Sequence, residues 1–193
     1  MDKNLFEEFE DRHWHDAVDD CYEDYYAGLQ ECEIFYCPAV HVTPFAIPRL
    51  EGTFESAGTI KENITCKNRR SFEKINALVD QNELTGDVSE TSSKTSVNLY
   101  VLGLKGSRIG LSRKVSRYPG IYILRDANGR MWIVGNTLSP AFASFNLTTG
   151  KVEEDNSGVQ MKLSSNMIFF EYTGSIPPYR ESDFSDEFSF EFF

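Results

Sequence analysis

The chain has no apolar run near the roughly 20 residues a membrane-spanning helix requires, so no span is expected in its 193 residues. It has no Cys-x-x-Cys pair, although Cys21, Cys32, Cys37, His13, His15 and His41 are residue types that bind zinc. On a helix His13 and His15 point about 200° apart, since each residue turns about 100°, and do not form a ligand pair. No metal and no cofactor is therefore expected. Lys105-Gly-Ser-Arg-Ile-Gly lacks the Gly-Lys-Ser/Thr ending of a phosphate-binding loop. No nucleophile sits beside a base in a recognisable frame, and acids are too abundant for carboxylate pairs to be informative. A noncatalytic protein is expected. The start, Met1-Asp-Lys-Asn-Leu-Phe-Glu-Glu, lacks the basic and apolar regions of a secretory signal. Synthesis in a cytosol, where thiols stay free, is the corresponding expectation.

Positive charge is scarce at both ends. Residues 1–37 hold 12 Asp and Glu against Lys3 and Arg12, a net of -10, and residues 180–193 hold 5 against Arg180, a net of -4. With -11 for the whole chain, residues 38–179 are left at +3. This division predicts an acidic helical arm over 1–37, a β-domain over 38–179 and an acidic, Phe-rich tail over 180–193. Acidic arms beside a basic body can fold back on it, shield it from nucleic acid or dock on basic neighbours.

Leu5, Phe6, Phe9, Trp14, Val18, Cys21, Tyr25 and Leu29 recur near helical spacing, which predicts an amphipathic helix over 5–29. Ile34-Phe-Tyr-Cys37 and Val40-His-Val-Thr43 have strand composition, but Pro38, Pro44 and Pro48 favour a connector or edge strands over a central strand. Residues 53–56 and 59–66 flank Ala57-Gly58 as a hairpin would. Residues 72–79 fit a short helix or a strand, and the spacing of Phe72, Ile75, Leu78 and Val79 favours the helix. Residues 85–96, polar except for Val88, predict a long loop, and Val97-Asn-Leu-Tyr-Val-Leu102 reads as a strand. Residues 105–117 combine cations with small and polar residues and no acid, and predict an exposed, flexible loop.

Beyond it, Asp126-Ala-Asn-Gly129 supplies the turn of a hairpin over 120–135, because Asn and Gly tolerate positive φ. Ile121 and Ile123 alternate with Tyr122 and Leu124, so both faces of the first strand need cover. Gly158-Val-Gln-Met-Lys-Leu163 alternates, and Met167-Ile-Phe-Phe-Glu-Tyr172 is almost continuously apolar. Many short strands with turns between them predict a mainly β fold. The expected form is an antiparallel β-sandwich or small barrel with an N-terminal amphipathic acidic helix and an extended C-terminal tail.

The order of parts runs from a basic-residue strand to the hairpin with Trp132-Ile-Val-Gly135, then Thr149-Gly150 and Asp155-Asn-Ser-Gly158. An alternating strand, an apolar strand and Tyr172-Thr-Gly-Ser-Ile-Pro-Pro-Tyr179 follow. Over residues 97–179 this order resembles the C-terminal part of structural proteins of tailed bacteriophages of Bacteroides-like hosts, including tail-tube and connector-ring components. The resemblance implies a noncatalytic virion subunit of a tail or head-tail connector, made in the host cytoplasm. Its β-domain would pack in a ring of copies around the genome path, beside other virion proteins, with transient DNA passage and no small-molecule substrate.

In the tail, Phe188, Phe190 and Phe192 lie at period two, giving an extended segment one apolar edge that can add to a neighbour's sheet. Phe184, Phe188, Phe190, Phe192 and Phe193, with Phe6, Phe9 and Trp14 of the N-terminal helix, are the expected subunit contacts. Lys105, Arg108, Arg113, Lys114 and Arg117 are expected to meet phosphates or the acidic arms. A barrel with an acidic, Phe-terminated tail also fits a single-strand DNA-binding protein, which is the alternative. A sugar- or host-binding module would need an exposed aromatic platform, and Trp132 is read instead as core.

Overall fold

The computed structural model describes Leu29 and residues 33–50, 52–76, 82–149 and 158–181. The strands are β1 (Glu33–Pro38), β2 (Thr59–Ile60), β3 (Phe72–Asn76), β4 (Glu83–Val88), β5 (Ser93–Leu102), β6 (Gly120–Arg125), β7 (Met131–Val134), β8 (Phe142–Thr148), β9 (Gly158–Ser165), β10 (Phe170–Tyr172) and β11 (Tyr179–Glu181). The helices are α1 (Phe54–Gly58) and α2 (Gly106–Arg117). The fold is mainly β, in two sheets ordered β11-β3-β1-β6-β7-β10-β2 and β4-β5-β9-β8. The four-stranded sheet is antiparallel, whereas the larger sheet has parallel pairings at its two margins, β11 on β3 and β2 on β10.

Strand β6 organises the interior. As its alternation predicts, Tyr122 and Leu124 enter one core and Ile121 and Ile123 the other. The first core joins Ile34, Tyr36, Ile75 and Val134 to Val97, Leu99, Met161 and Leu163 of the smaller sheet and to Leu111 and Val115 of α2. The second core, around Phe35, Cys37, Ile133 and Tyr172, is closed by Val42, Ile60 and Ile64 from the excursion between β1 and β3. Burying a side chain of this size contributes about 1.5–3 kcal/mol. A central strand packed on both faces is therefore the most costly part to disturb.

The hairpin turn forms where expected. Gly129 has φ +79°, Asp126 Oδ1 accepts from Asn128 N and Arg130 N at 2.9 Å each, and Oδ2 accepts from Trp132 Nε1 at 2.9 Å. Trp132 packs edge-on against Phe169 and against the first core. Asp126→Ala deletes three hydrogen bonds to one carboxylate and is expected to lower the free energy of unfolding by about 2–3 kcal/mol. Urea denaturation of the variant checks this.

Five sequence expectations are corrected. Despite its prolines, β1 is a central strand, hydrogen-bonded to both β3 and β6, because Pro38 falls at its last position. It includes residues 33–37, so that part of the predicted acidic arm belongs to the sheet. Residues 53–58 are not half of a hairpin. Thr53 Oγ1 accepts from Ser56 N at 3.2 Å and Ser56 Oγ from Thr53 N at 3.1 Å, a capping box that starts α1. Residues 72–76 form a strand because Phe72 and Ile75 enter different cores, which a helical face could not serve. Residues 85–96 are most of a hairpin of β4 with β5, registered from Glu83↔Asn98 to Val88↔Ser93. Strand β4 lies at the sheet margin and is largely exposed, so it needs little apolar sequence.

The fifth is the basic segment. Residues 106–117 form α2 rather than a flexible loop, with Leu111, Ser112 and Val115 buried and Lys114 and Arg117 in the last turn. Cations there complement the carbonyl end of the helix dipole. The helix expected over 5–29 lies outside the described residues, except for Leu29, which is buried in the first core. Phe6, Phe9, Trp14, Phe184, Phe188, Phe190, Phe192 and Phe193 also lie outside them. Among the described residues, no helix is long and apolar enough to cross a membrane.

Candidate docking groove

Three chain segments meet at the end of the large sheet where β1 finishes and β6 begins. Ala39 N donates to Pro119 O at 3.1 Å, and Tyr36 Oη donates to Tyr118 O at 2.6 Å. Gly120 and Ala141 exchange N–H···O bonds of 3.0 and 2.8 Å. These contacts hold 38–44, 118–119 and 137–140 around a groove of about 410 Å³, whose lining is mainly apolar and includes Val40, Pro44, Tyr118, Leu138 and Pro140.

The rim at 136–139 is built to present one side chain. Asn136 is buried, and its Oδ1 accepts from Leu138 N at 2.8 Å and Ser139 N at 2.5 Å, while its own N–H donates to Ser139 O at 3.0 Å. The preceding Gly135 has φ +84°, and a Cβ there would lie 2.7 Å from Ala141 N. The turn is thus fixed from below and leaves Leu138 91% exposed. Val40, across the groove, is 69% exposed. Leu138 and Val40 thus put two large, exposed apolar side chains on the lining of one groove.

The surroundings are cationic. Lys67 lines the groove, and burial followed by the charges of Arg70, Lys114 and Lys67 holds the His41 imidazole below its ordinary pKa. Arg69 and Arg70 are exposed on a tight turn that puts Asn68 and Arg69 at positive φ. The described residues carry 16 Lys and Arg against 10 Asp and Glu, a net of +6, in a chain of net -11.

The structure separates the five cations of residues 105–117. Lys114 Nζ pairs with Glu73 Oε1 at 2.5 Å, tying α2 to β3. Arg108 Nη1 donates to Gly103 O at 2.6 Å, so it braces the turn that enters the helix. Lys105 is the N-terminal flanking residue of α2, and its carbonyl accepts from Arg108 N and Ile109 N. Arg113 and Arg117 are exposed one helical turn apart, with Arg117 next to the groove residue Tyr118. The groove itself was not anticipated from sequence. Its available signal was the recurrence of proline at 38, 44, 119 and 140 beside Val40 and Leu138.

One residue from the lining on either side lies a thiol pair. Cys37 precedes Pro38, Cys66 precedes Lys67, and their Sγ atoms are hydrogen-bonded 3.7 Å apart, neither in a disulfide. Burial raises the Cys37 thiol far above its ordinary value, with the adjacent Cys66 adding to the effect; burial also raises Cys66, against a smaller opposing effect of the Cys37 hydrogen bond. Burial likewise raises Tyr36, Tyr122 and Tyr172. For each group the folded value lies above the unfolded one, so the stabilisation is complete below the unfolded pKa and is lost as pH rises beyond it. The urea midpoint is expected to hold to about pH 8 and then fall, first from the thiols and then from the tyrosines. Cys37→Ser should reduce the earlier part of the fall, leaving the share that Cys66 contributes. A midpoint flat to pH 11 would overturn the assignment.

Among the described residues, no three of His, Cys, Asp and Glu group as a metal site requires. The chain matches no protein-family model, no curated protein and no solved structure.

Proposed function

We propose that the chain is a noncatalytic structural subunit that assembles by seating residues 182–193 of one copy in the groove of the next. The carrying observation is complementarity. The groove is apolar with Lys67 in its lining and further cations near it, and residues 182–193 hold five phenylalanines and four acids with no Lys or Arg. Rings fill apolar recesses while carboxylates meet the rim, the usual division between an interface centre and its edge.

Strand direction favours a neighbour over the chain's own groove. Strand β11 runs parallel to β3, which is antiparallel to β1, so the chain passes Glu181 heading away from the Pro38 end that bears the groove. Twelve further residues reach roughly 40 Å when extended, enough to enter an adjacent copy. Following the resemblance over 97–179, the assembly is a ring in the tail or head-tail connector of a tailed phage, with the sheets in a sandwich-like body and the N-terminal segment as a second acidic contact. The resident location is then the virion.

Deletion of 182–193, which spares β11, is expected to leave the circular dichroism spectrum unchanged and abolish higher assemblies in light scattering and electron microscopy. Normal particles from the truncated chain would sink the proposal. Exposed Arg69, Arg70, Arg113 and Arg117, with Tyr118 37% exposed beside the groove, favour single-strand DNA as the second reading. In that case the same deletion leaves the oligomeric state alone and raises oligonucleotide affinity in a salt-sensitive mobility shift.

A further inference from the structure

We propose that Cys37 and Cys66 are a dithiol that closes to an intrachain disulfide by exchange with a small-molecule disulfide, pinning the excursion between β1 and β3 to the central sheet. The inference stands whether or not the groove takes residues 182–193.

The positions are fixed from different sides. Cys37 lies in β1, opposite Ile121 of β6, and is 1% exposed. Cys66 is bridged to Val42, with Lys67 N donating to His41 O at 2.7 Å and Thr43 N to Thr65 O at 2.8 Å. The sulfurs already touch at 3.7 Å, and closing to a disulfide of about 2.05 Å requires that side-chain rotation bring them together. Neither thiol has another assigned task, and the two are far enough apart in sequence for the bond to enclose Ala39, Val40 and Pro44 of the groove.

Cys66 is the more accessible thiol and the entry point. Its thiolate attacks one sulfur of oxidised glutathione, forming a mixed disulfide and releasing one glutathione thiolate, which takes up a proton. Cys37 then loses its proton and attacks the Cys66 sulfur, releasing the second glutathione. Two protein thiols are oxidised by two electrons, and one glutathione disulfide is reduced to two thiols. Burial of Cys37 and the raised pKa of both thiols make the exchange slow, so it responds to sustained rather than brief oxidation.

The test uses the full chain incubated with oxidised glutathione, alkylated and digested with trypsin without reduction. Cleavage after Arg12, Arg49, Lys61 and Lys67 puts Cys66 in peptide 62–67 and Cys21, Cys32 and Cys37 together in peptide 13–49. The expected product is a cross-link between these peptides that is lost in Cys37→Ser and Cys66→Ser and retained in Cys21→Ser and Cys32→Ser. Cys37→Ser should instead accumulate glutathione on Cys66. A link that survives Cys37→Ser, or free thiols at both positions in folded protein after the denatured chain has fully oxidised, overturns the proposal. Circular dichroism of each variant confirms that the comparison is made between folded chains.

Discussion

Gly120→Val is expected to leave no folded protein at 37 °C, and Gly120→Ala to lower the melting temperature by roughly 10 °C. A Cβ at this position would overlap the Tyr36 ring and lie 2.6 Å from Cys37 O. Neither neighbour can yield. Tyr36 is fully buried, packed at a tilt of 34° against Tyr122 with centroids 5.0 Å apart and hydrogen-bonded to Tyr118 O. The Cys37 carbonyl belongs to the β1–β6 ladder, where Pro38 stands opposite Gly120. Overpacking such a site costs about 1–3 kcal/mol when side chains can move and more when backbone must. About 3 kcal/mol for alanine, at 2–4 °C per kcal/mol in a chain of this size, gives the expected shift. The larger valine exceeds what a stability of about 5–15 kcal/mol tolerates. Thermal denaturation decides, and an unchanged Gly120→Ala midpoint would mean that the register of β1 and β6 is wrong.

What made this region legible was density of local signal. The β6–β7 hairpin announces itself through Asn128-Gly129 and through a strand with apolar residues on both faces, and β9 through strict alternation. Illegible parts share a different cause: their conformation is set by partners distant in sequence. Strand β4 is polar and marginal, and forms because β5 offers a ladder. Helix α2 has only Leu111 and Val115 as buried apolar anchors, and is placed by the core they enter and by the Lys114–Glu73 pair across 41 residues. Strand β3 has the spacing of a helix, yet lies between β1 and β11. In each case tertiary contact overrides a weak local preference.

The site follows the same logic. Cationic residues 105–117 were visible as a cluster, but folding divides them between a brace, an ion pair and an exposed face. The thiol pair could not be read from spacing, because it depends on the excursion returning to the end of β1. The groove needs three segments at once, and its most exposed residue, Leu138, looks in sequence like any turn leucine. What the sequence did carry was the charge division. The described body is more basic than residues 38–179 as a whole, which sharpens the contrast with 182–193.

That contrast makes Leu138 the most informative single position for assembly. Leu138→Glu is expected to leave the urea midpoint within about 0.5 kcal/mol of the parent, as for other exposed positions. If residues 182–193 of a neighbouring copy seat in the groove as proposed, the same change removes an apolar anchor and sets a negative charge against an acidic segment. Loss of an interface anchor costs about 2 kcal/mol or more, roughly 30-fold in affinity, before repulsion is added. The concentration at half-assembly, measured by sedimentation, should therefore rise at least about 30-fold. Leu138→Lys, which loses the apolar contact but keeps the favourable sign, should fall between glutamate and the parent. Leu50→Glu, at a position 88% exposed and outside the groove lining, should assemble as the parent does. Strong salt should narrow the gap between the glutamate and lysine variants, because screening acts on the charge term and leaves burial of the rings untouched. If Leu138→Glu folds and assembles like the parent, residues 182–193 do not bind in this groove.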